Sequence, residues 1–269
     1  MTVVSVLSMK GGVGKSTVTL GLASAAWSRN LTALVVDLDP QANTTMAIDV
    51  PDAVFTTSDV LADARPGIAH EAITVSGWGS TVSVIPSERA LEHRNVATGR
   101  NSALRLRTAL ATTPRQFDIV LIDCPPSLGE LTRNALSVAD RAVIVTEPNH
   151  FALHGAAEAL EAVDVIAGTT NPGLRASTVV INRHRPDDRE HEFHVAELRA
   201  RHGDLVFEHS LPECSGVPLS QRSGSPLHTW NSPGSREVAE LFDDLLDALL
   251  PTPKPAKKQA PFSLSRYLT

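Results

Sequence analysis

The sequence predicts an α/β fold, a doubly wound and mostly parallel sheet with helices on both faces. Short apolar, β-rich runs alternate with helix-like stretches over most of the 269 residues, which is the order that strand–helix–strand crossovers produce. The apolar runs are nearly continuous in Val, Ile and Leu, without a polar residue at every second position. Such runs are typical of strands that are buried on both faces of a parallel sheet.

The predicted elements alternate from the first residues onward. The predicted strands are Val3–Leu7, Ala33–Val36, Val82–Ile85, Ile119–Ile122, Ala142–Val145, Thr178–Ile181 and Leu205–Phe207. The predicted helices are Ser16–Trp27, Ala103–Thr112, Leu128–Val138, Ala152–Ile166, Glu190–Ala200 and Ser235–Leu250. Asp49–Gly77 is mixed and polar and is predicted to form short helices before the third strand. Leu211–Pro233 is rich in Ser, Gly and Pro and is predicted to be a long ordered loop, a kind of segment that often has a function.

Composition favours a single large domain in a reducing compartment. A hydrophobic content of 42% is enough for a full core, and residues 1–250 are predicted to form this domain. Residues 251–269 have the composition of a flexible, basic, Pro-rich tail. No run of 18 or more apolar residues occurs, so no transmembrane segment is expected. The cysteines, Cys124 and Cys214, and the lack of a leader-like start favour the cytoplasm.

A glycine-rich segment directly follows the first predicted strand. Residues 10–17 read Lys-Gly-Gly-Val-Gly-Lys-Ser-Thr, in the strand–loop–helix context of a phosphate-binding loop. Glycines allow the backbone to wrap around an anion and present several N–H groups, and the following helix offers its N-terminal dipole. Lys15 would reach the β- and γ-phosphates, and the Ser16 hydroxyl would hold Mg²⁺. The segment therefore predicts binding of a nucleoside triphosphate.

The loop departs from the general pattern at its start. Met9 stands where the pattern G-x-x-x-x-G-K-[ST] has a glycine, and a second lysine follows at Lys10. Two lysines on one small loop place more positive charge there than a single triphosphate needs from its own subunit. From charge alone, Lys10 either has a use beyond that triphosphate or points into solvent, and both interpretations stay open.

Acidic residues follow two predicted strands at the edge where open parallel sheets bind ligands. Asp37 and Asp39 follow the second strand and share one side of it if the extended conformation continues. Asp123 ends the fourth strand, and an aspartate there beside a phosphate loop usually holds Mg²⁺ through metal-bound water. The other interpretation of Asp123 is a helix cap. Asp39 is the candidate for positioning the attacking water, and its other interpretation is the start of a turn before Pro40.

Two weaker signals have simple structural interpretations. His184, His191 and His194 could form a metal site, but a solvated, charged loop and helix face is favoured. Cys124 has no second cysteine at iron–sulfur spacing, so a small buried residue is favoured over a nucleophile or a cluster ligand.

The motifs together resemble those of the ParA/MinD family of deviant Walker ATPases, and the ParA branch in particular. The segments that carry the resemblance are Lys10–Thr17, Val35–Asn43, Ile122–Ser127, Leu131–Leu136 and Val179–Asn182. The likeness spans roughly residues 2–250, whereas the turn after the fifth strand and the loop Leu211–Pro233 are less similar. The resemblance implies a P-loop NTPase fold of the deviant Walker type and an ATPase with ATP and Mg²⁺ as cofactors.

The resemblance also assigns roles by position. It implies catalytic roles for Lys10, Lys15 and Asp39, with Lys10 crossing a nucleotide-sandwich dimer interface. It places Ser16, Asp37 and Asp123 around the metal. The implied nucleotide-binding residues are Gly11, Gly12, Val13, Gly14, Lys15, Ser16 and Thr17 at the phosphates and Asn182, Pro212 and Glu213 at the adenine.

The function implied is ATP-dependent DNA segregation, as in plasmid or chromosome partition. The family's ATP-bound homodimer binds DNA non-specifically, and a DNA-bound, ParB-like partner stimulates hydrolysis and release, so association with the nucleoid is expected. A net charge of -6 argues against extensive DNA coating but permits a local basic patch. The candidates for that patch, with ordinary surface charge as the other interpretation, are Arg183, Arg185, Arg189, Arg222 and Arg236.

Two other functions stay open. One is a MinD-like or cargo-positioning ATPase acting at the membrane or nucleoid, for which Pro261–Leu268 would be a membrane-targeting helix. Prolines interrupt its short apolar face, so a disordered or partner-binding tail is favoured. The other is a P-loop metabolic enzyme that phosphorylates or amidates a small substrate, against which Lys10 and Asp39–Gln41 favour the switch ATPases.

Overall fold

The fold is known from a computed structural model that describes residues 1–51, 53–99, 101–111 and 117–250. The strands are β1 (Thr2–Leu7), β2 (Ala33–Asp37), β3 (Thr74–Ser76), β4 (Gly79–Ile85), β5 (Ile119–Asp123), β6 (Arg141–Thr146) and β7 (Arg175–Ile181). They form one sheet in the order β3-β4-β2-β5-β1-β6-β7. Every neighbouring pair is parallel except β3–β4. The predicted α/β fold with a mostly parallel sheet is therefore confirmed.

Helices connect the strands within the described ranges. They are α1 (Lys15–Ser28), α2 (Asn43–Ala47), α3 (Thr57–Asp63), α4 (Ala69–Ala72), α5 (Arg105–Leu110), α6 (Glu130–Val138), α7 (Ala152–Ala167), α8 (Arg189–His202), α9 (Gly216–Arg222) and α10 (Pro233–Leu249). None of these described helices combines the length and the apolar character needed to cross a membrane. The predicted tail, residues 251–269, and the predicted helix end at Thr112 lie outside the described residues.

Each face of the sheet carries its own apolar core, as the doubly wound prediction requires. One core lies under α1 and α10, where Phe242 packs against Gly21. A Cβ at Gly21 would lie 2.3 Å from the Phe242 ring, so glycine is needed for this close approach. The other core lies under α3 to α8. The chain therefore places helices on both faces.

β1 lies in the interior of the sheet because its six residues are apolar or small and all are buried. It pairs with β5 on one side and with β6 on the other. β2 pairs with β5 in a register that sets Asp37 opposite Asp123. Because parallel strands end at the same edge, the loop after β1 lies beside the acidic ends of β2 and β5.

Three predictions need correction. Leu205–Phe207 is not a strand: residues 203–205 form a 3₁₀ turn and Val206 makes a single bridge to Val179, because so short an apolar run between polar residues supports little pairing. Asp49–Gly77 contains the expected short helices, but it also contains the antiparallel edge strand β3. Leu211–Pro233 contains α9 and a 3₁₀ turn, and Pro218 is tolerated because it falls in the first turn of α9.

Candidate nucleotide-binding site

The phosphate loop occupies residues 8–14, between the end of β1 and the first turn of α1. Gly12 and Gly14 have φ values of 84° and 94°, a left-handed conformation that glycine adopts without steric cost. Space is also tight at Gly14, because a Cβ there would lie 2.1 Å from Asn182 Nδ2. α1 begins at Lys15, so the unpaired N–H groups and the dipole of its first turn face the same loop. The arrangement is an anion-binding cradle.

Lys15 is buried although it carries an ammonium group, with an exposed fraction of 6%. Burial lowers the pKa of Lys15, and the carboxyl groups of Asp123 and Asp39 oppose that shift. A buried cation needs partners of opposite charge or hydrogen-bond acceptors. Lys15 thus brings positive charge into the cradle, where phosphate oxygens would be further partners.

Two aspartates lie side by side at the carboxyl ends of β2 and β5. Asp37 and Asp123 are both fully buried. Burial raises the pKa of both carboxyl groups, and the charge of Asp123 raises the pKa of Asp37 further. Thr44 Oγ1 donates to Asp123 Oδ2 at 2.6 Å. The backbone N and Oγ1 of Thr45 donate to Asp37 Oδ2 at 2.9 and 2.7 Å.

Asp123 has the less fully bonded oxygen of this pair. Asp123 Oδ1 is buried and accepts no hydrogen bond of normal geometry within the described residues, although the Ser16 hydroxyl is near enough to lower the pKa of this carboxyl group. Asp37 Oδ1, in contrast, accepts from Asp39 N at 3.0 Å. A buried carboxylate oxygen without a donor is costly unless a cation approaches it. Mg²⁺ prefers oxygen ligands and keeps most of its waters, so few protein ligands suffice. The residues fit Mg²⁺, and Asp123 with the Ser16 hydroxyl would hold it.

Asp39 both begins a turn and lines the phosphate cavity. Its Oδ1 accepts from Gln41 N at 2.9 Å, and its carbonyl oxygen accepts from Ala42 N at 2.9 Å. Ser87 Oγ donates to the same carbonyl oxygen at 2.7 Å. The side chain shares a cavity wall with Lys15. The two interpretations of Asp39 are therefore compatible, because the turn fixes a carboxyl group at the cavity.

Two adjoining cavities meet at the phosphate loop. The first, of about 640 Å³, is bounded by the loop, by Asp39 and by α9, a size that suits a small-molecule ligand. The second, of about 590 Å³, shares Thr17, Arg183 and Gln221 with the first. The predicted adenine-contacting residues that line the second cavity are Asn182, Pro212 and Glu213. The structure thus places the predicted phosphate and base residues around one continuous region.

Lys10 differs from Lys15 in its surroundings. It is exposed, and its backbone N donates to Ser8 Oγ at 3.1 Å. The Lys10 Nζ atom lies 6.0 Å from the centroid of the Phe151 ring, and Phe151 is 63% exposed. A cation beside an aromatic ring at this distance is weakly attracted to it. The two lysines of one loop therefore occupy opposite environments, one buried and one at the surface.

The arginines predicted as a DNA patch fall into two groups. Arg183 and Arg222 line the phosphate cavity, and Arg183 Nη1 donates to Gly12 O and to Glu147 Oε1, both at 2.9 Å. The exposed arginines outside the wall of that cavity are Arg185, Arg189 and Arg236. Arg185 pairs with an acidic neighbour on the same turn. Two of the candidates thus line the candidate nucleotide site.

The histidines pair with carboxyl groups. His184 Nε2 lies 2.8 Å from Glu192 Oε1, and His194 Nδ1 lies 2.9 Å from Glu197 Oε2. His194 is only 7% exposed because it shares the buried face of α8 with Leu198, so the expectation of a solvated helix face is wrong for this residue. Clusters of three or more side chains suited to a metal do not occur in the described part of the chain.

Both cysteines, Cys124 and Cys214, are free thiols. Cys124 is fully buried, and burial raises the pKa of its thiol. A thiol with a raised pKa is a poor nucleophile. The interpretation of Cys124 as a small buried residue therefore agrees with the structure.

Sequence reasoning missed residues that hold the site together. Thr44 and Thr45 donate to the two buried aspartates, and their position just after the Asp39 turn is a signal that could have found them. Gln221 Nε2 donates to Thr17 Oγ1 at 3.0 Å. The residue spacing in the Ser-, Gly- and Pro-rich segment gives no signal that would identify Gln221 as a residue of the site.

The site combines two features: a phosphate cradle directly after an interior strand of a parallel sheet, and a carboxyl group on the neighbouring strand that can hold a metal. Together they define a P-loop nucleoside triphosphatase. A family model described as an AAA domain matches residues 1–176. The chain belongs to this family, and within it to the ParA/MinD group as a ParA-type ATPase.

Relatives of known sequence cover most of the chain. The chromosome partitioning protein ParA of Caulobacter vibrioides is 29% identical, over 91% of this chain and 94% of that protein. The sporulation initiation inhibitor protein Soj of Bacillus subtilis is 29% identical, over 90% of this chain and 96% of that protein. An uncharacterized Mycobacterium tuberculosis protein is 32% identical, over 91% of this chain and 78% of that protein.

Solved structures share the fold. Cobyrinic acid a,c-diamide synthase from Mycobacterium smegmatis, with bound ADP and magnesium, is 25% identical with a TM-score of 0.77 and covers 95% of this chain and 100% of that chain. An ATP complex of McdA from Cyanothece is 21% identical with a TM-score of 0.81 and covers 93% of this chain and 96% of that chain. The P-loop fold and the prediction of ATP and Mg²⁺ as cofactors are confirmed.

Proposed function

We propose that this ATPase segregates DNA, as in plasmid or chromosome partition. In the proposed cycle, the ATP-bound protein forms a sandwich homodimer that binds DNA of the nucleoid non-specifically in the cytoplasm. A DNA-bound, ParB-like partner then stimulates hydrolysis, and the dimer leaves the DNA. Relatives from two bacteria named chromosome partitioning protein ParA support this proposal.

The observation that carries the proposal is the exposed position of Lys10 on the phosphate loop. Two triphosphates that face each other across a dimer repel, and a cation between them offsets that repulsion. Lys15 is buried and serves its own subunit, whereas Lys10 stands at the surface, where a second copy of the loop would meet it. We infer that Lys10 makes dimerisation depend on ATP.

Within one subunit, the proposed hydrolysis uses the residues of the cradle. Lys15 and the N–H groups of residues 11–17 bind the phosphates, with Thr17 nearest the α-phosphate. Mg²⁺, when bound, neutralises charge on the phosphoryl oxygens. Asp39 orients the attacking water and accepts its proton, while the water oxygen bonds to the γ-phosphorus and the bond to the ADP oxygen breaks. The proposed adenine contacts are Asn182, Pro212 and Glu213.

The proposed DNA contacts are surface arginines. DNA binding of this kind depends on positive charge that neutralises phosphates and releases counterions. A dimer presents two copies of each arginine, so it doubles the positive charge that a single subunit offers. The exposed candidates outside the phosphate cavity wall are Arg185, Arg189 and Arg236.

The test is DNA binding by the full-length protein with ATP, with ADP and without nucleotide. Fluorescence anisotropy of a labelled random-sequence duplex is expected to show binding only with ATP, weakening as salt rises. Lys10→Ala and Lys15→Ala are both expected to abolish it. Arg65→Ala is the control, because Arg65 is an exposed residue that pairs with Asp63 and Glu71. DNA binding that ignores the nucleotide would contradict the proposed cycle.

A metabolic enzyme is the second candidate, favoured by the structural likeness to cobyrinic acid a,c-diamide synthase. Such an enzyme consumes ATP only when a small acceptor is present, and DNA does not alter its rate. ATP turnover measured with DNA, and separately with glutamine and small acid acceptors, distinguishes the two. A MinD-like action predicts instead that the full chain, but not residues 1–250 alone, sediments with liposomes when ATP is present.

A further inference from the structure

The end of β7 is tied to the phosphate loop by two consecutive residues. Asn182 is 4% exposed, and its Nδ2 donates to Val13 O at 2.8 Å. Arg183 Nη1 donates to Gly12 O at 2.9 Å. Two neighbouring side chains therefore hold two neighbouring carbonyl groups of the loop.

These bonds determine where the loop's N–H groups point. In a trans peptide the C=O and the N–H of one unit point in opposite directions. Because Asn182 and Arg183 draw the carbonyl groups of Gly12 and Val13 toward β7, the N–H groups of Val13 and Gly14 are directed away from β7. Together with the left-handed glycines, such N–H groups form an anion-binding nest.

Arg183 is itself held in place. Its φ of 54° is left-handed, a conformation that few non-glycine residues adopt. Its guanidinium pairs with Glu147 Oε1 at 2.9 Å, and Glu147, just after β6, has a side chain that is only 22% exposed. The guanidinium therefore bridges the end of β6 and the loop, with one nitrogen serving both acceptors.

We propose that Arg183, anchored by Glu147 and acting together with Asn182, is a positioning residue that preorganises the phosphate loop for the nucleotide. The positioning role of Arg183 concerns nucleotide binding and not the DNA cycle. It can therefore be disproved while the proposal of DNA segregation still holds. It also assigns Arg183 to nucleotide binding instead of to the DNA patch.

The competing role for Arg183 is a direct contact to phosphate, with Glu147 holding the guanidinium back until ATP arrives. The two roles predict opposite effects of removing Glu147. If Glu147 anchors a positioning residue, Glu147→Ala weakens nucleotide binding. If Glu147 competes with phosphate, Glu147→Ala releases the guanidinium and strengthens binding.

The experiment measures the dissociation constants of ATP and ADP with Mg²⁺ by calorimetry on the full chain. Arg183→Ala is expected to weaken binding of both nucleotides by about tenfold, the scale of a hydrogen bond from a charged group. The loss is equal for ATP and ADP because loop N–H groups bind phosphates that both possess. Glu147→Ala is expected to weaken the binding of both nucleotides by a smaller factor. The double variant Arg183→Ala/Glu147→Ala is expected to bind them no more weakly than Arg183→Ala alone.

The control is Arg65→Ala, because Arg65 is similarly exposed and also bonds two acceptors, and it is expected to leave both constants unchanged. Unchanged binding in Arg183→Ala, tighter binding in Glu147→Ala, or a loss confined to ATP would each overturn the proposal. If Arg183→Ala fails to fold, the sign of the Glu147→Ala effect still decides between the two roles.

Discussion

Asp37 and Asp123 face each other on the paired strands β2 and β5, and neither carboxyl group has access to solvent. Two carboxylates at such neighbouring positions repel each other when both are ionised. Hydrogen bonds from Thr44 and Thr45 offset part of this repulsion. The free protein therefore holds negative charge ready for a divalent cation at a cost to its own stability.

Asp123→Asn is expected to lower activity with little change in stability. The amide keeps an oxygen for the Thr44 hydroxyl and removes the charge that repels Asp37, but it also removes a charge that favours the ammonium form of buried Lys15. Because these effects oppose each other, we expect the free energy of unfolding in urea with EDTA to change by less than about 1 kcal/mol, the scale of one unit of pKa shift. Mg²⁺-dependent phosphate release is expected to fall about 100-fold. A less stable variant with full turnover would show that Asp123 is a structural residue.

The same pair is expected to make the stability of the metal-free protein depend on pH. Burial raises the pKa of both carboxyl groups in the folded state, so the folded protein keeps protons that the unfolded chain has lost. Above the unfolded pKa of about 4, the free energy of unfolding therefore falls as pH rises toward neutrality. Urea midpoints in EDTA buffers across this range should fall less steeply for Asp123→Asn. Equal slopes in the two proteins would argue against this origin.

Substitutions of the two loop lysines are expected to separate nucleotide binding from dimerisation. Lys15→Ala removes the buried ammonium group of the cradle, so ATP binding is expected to be lost. Lys10→Ala leaves the cradle intact and is expected to bind ATP about as well as the wild type but to remain monomeric. Light scattering after size exclusion, with a slowly hydrolysed ATP analogue, gives the oligomeric state. A dimer of Lys10→Ala would remove the main support for the sandwich arrangement.

Gly21→Ala tests the contact between α1 and α10. A new Cβ would lie 2.3 Å from the Phe242 ring, and overpacking of this kind costs about 1–3 kcal/mol. The better helix propensity of alanine, about 1 kcal/mol, acts in the opposite direction, so a net loss of stability reports the clash. Phe242→Leu in the same chain should recover part of the loss. Gly173→Ala is the control, since its Cβ would lie 3.5 Å from the Asn171 side chain.

Arginine substitutions are expected to distinguish DNA contacts from nucleotide contacts. Alanine at Arg185, Arg189 or Arg236 should lower the slope of log affinity against log salt by about 0.9 for each DNA phosphate that the variant no longer neutralises. Nucleotide affinity should not change in these variants. Arg222→Ala, at the phosphate cavity, is expected to weaken nucleotide binding and to keep the salt slope. An unchanged slope in all three DNA variants would place the DNA contacts elsewhere.

The elements that could be predicted from the sequence are those whose residues follow one simple pattern of burial. Strands such as β1 and β5 are recognisable because they are continuous apolar runs buried on both faces. β3 was not predicted because an edge strand of three residues, one of them exposed, has no such pattern. α9 was not predicted because Ser, Gly and Pro dominate its surroundings. Its helix is favoured by packing against α10 and by the hydrogen bond from Gln221 to Thr17.

The residues of the candidate site also differ in whether the sequence predicts them. Residues that act through the local backbone, such as Gly14 and Lys15, follow from a contiguous motif. The pairing of Arg183 with Glu147 and Gly12 does not, because it joins three segments whose proximity only the sheet order creates. From the sequence alone, an arginine among other charged residues is interpreted as a surface residue, because its hydrogen-bond acceptors are known only from the structure.

β1 and the phosphate loop are translated before the other described strands, and the strands on either side of β1, β5 and β6, are made much later. The carbonyl groups of Gly12 and Val13 have no Arg183 or Asn182 to bond until translation has passed β7. Contacts between segments so distant in sequence form slowly and late in folding. A stalled or truncated product that ends before β7 therefore carries the whole glycine-rich motif but lacks the two side chains that hold the carbonyl groups of the loop.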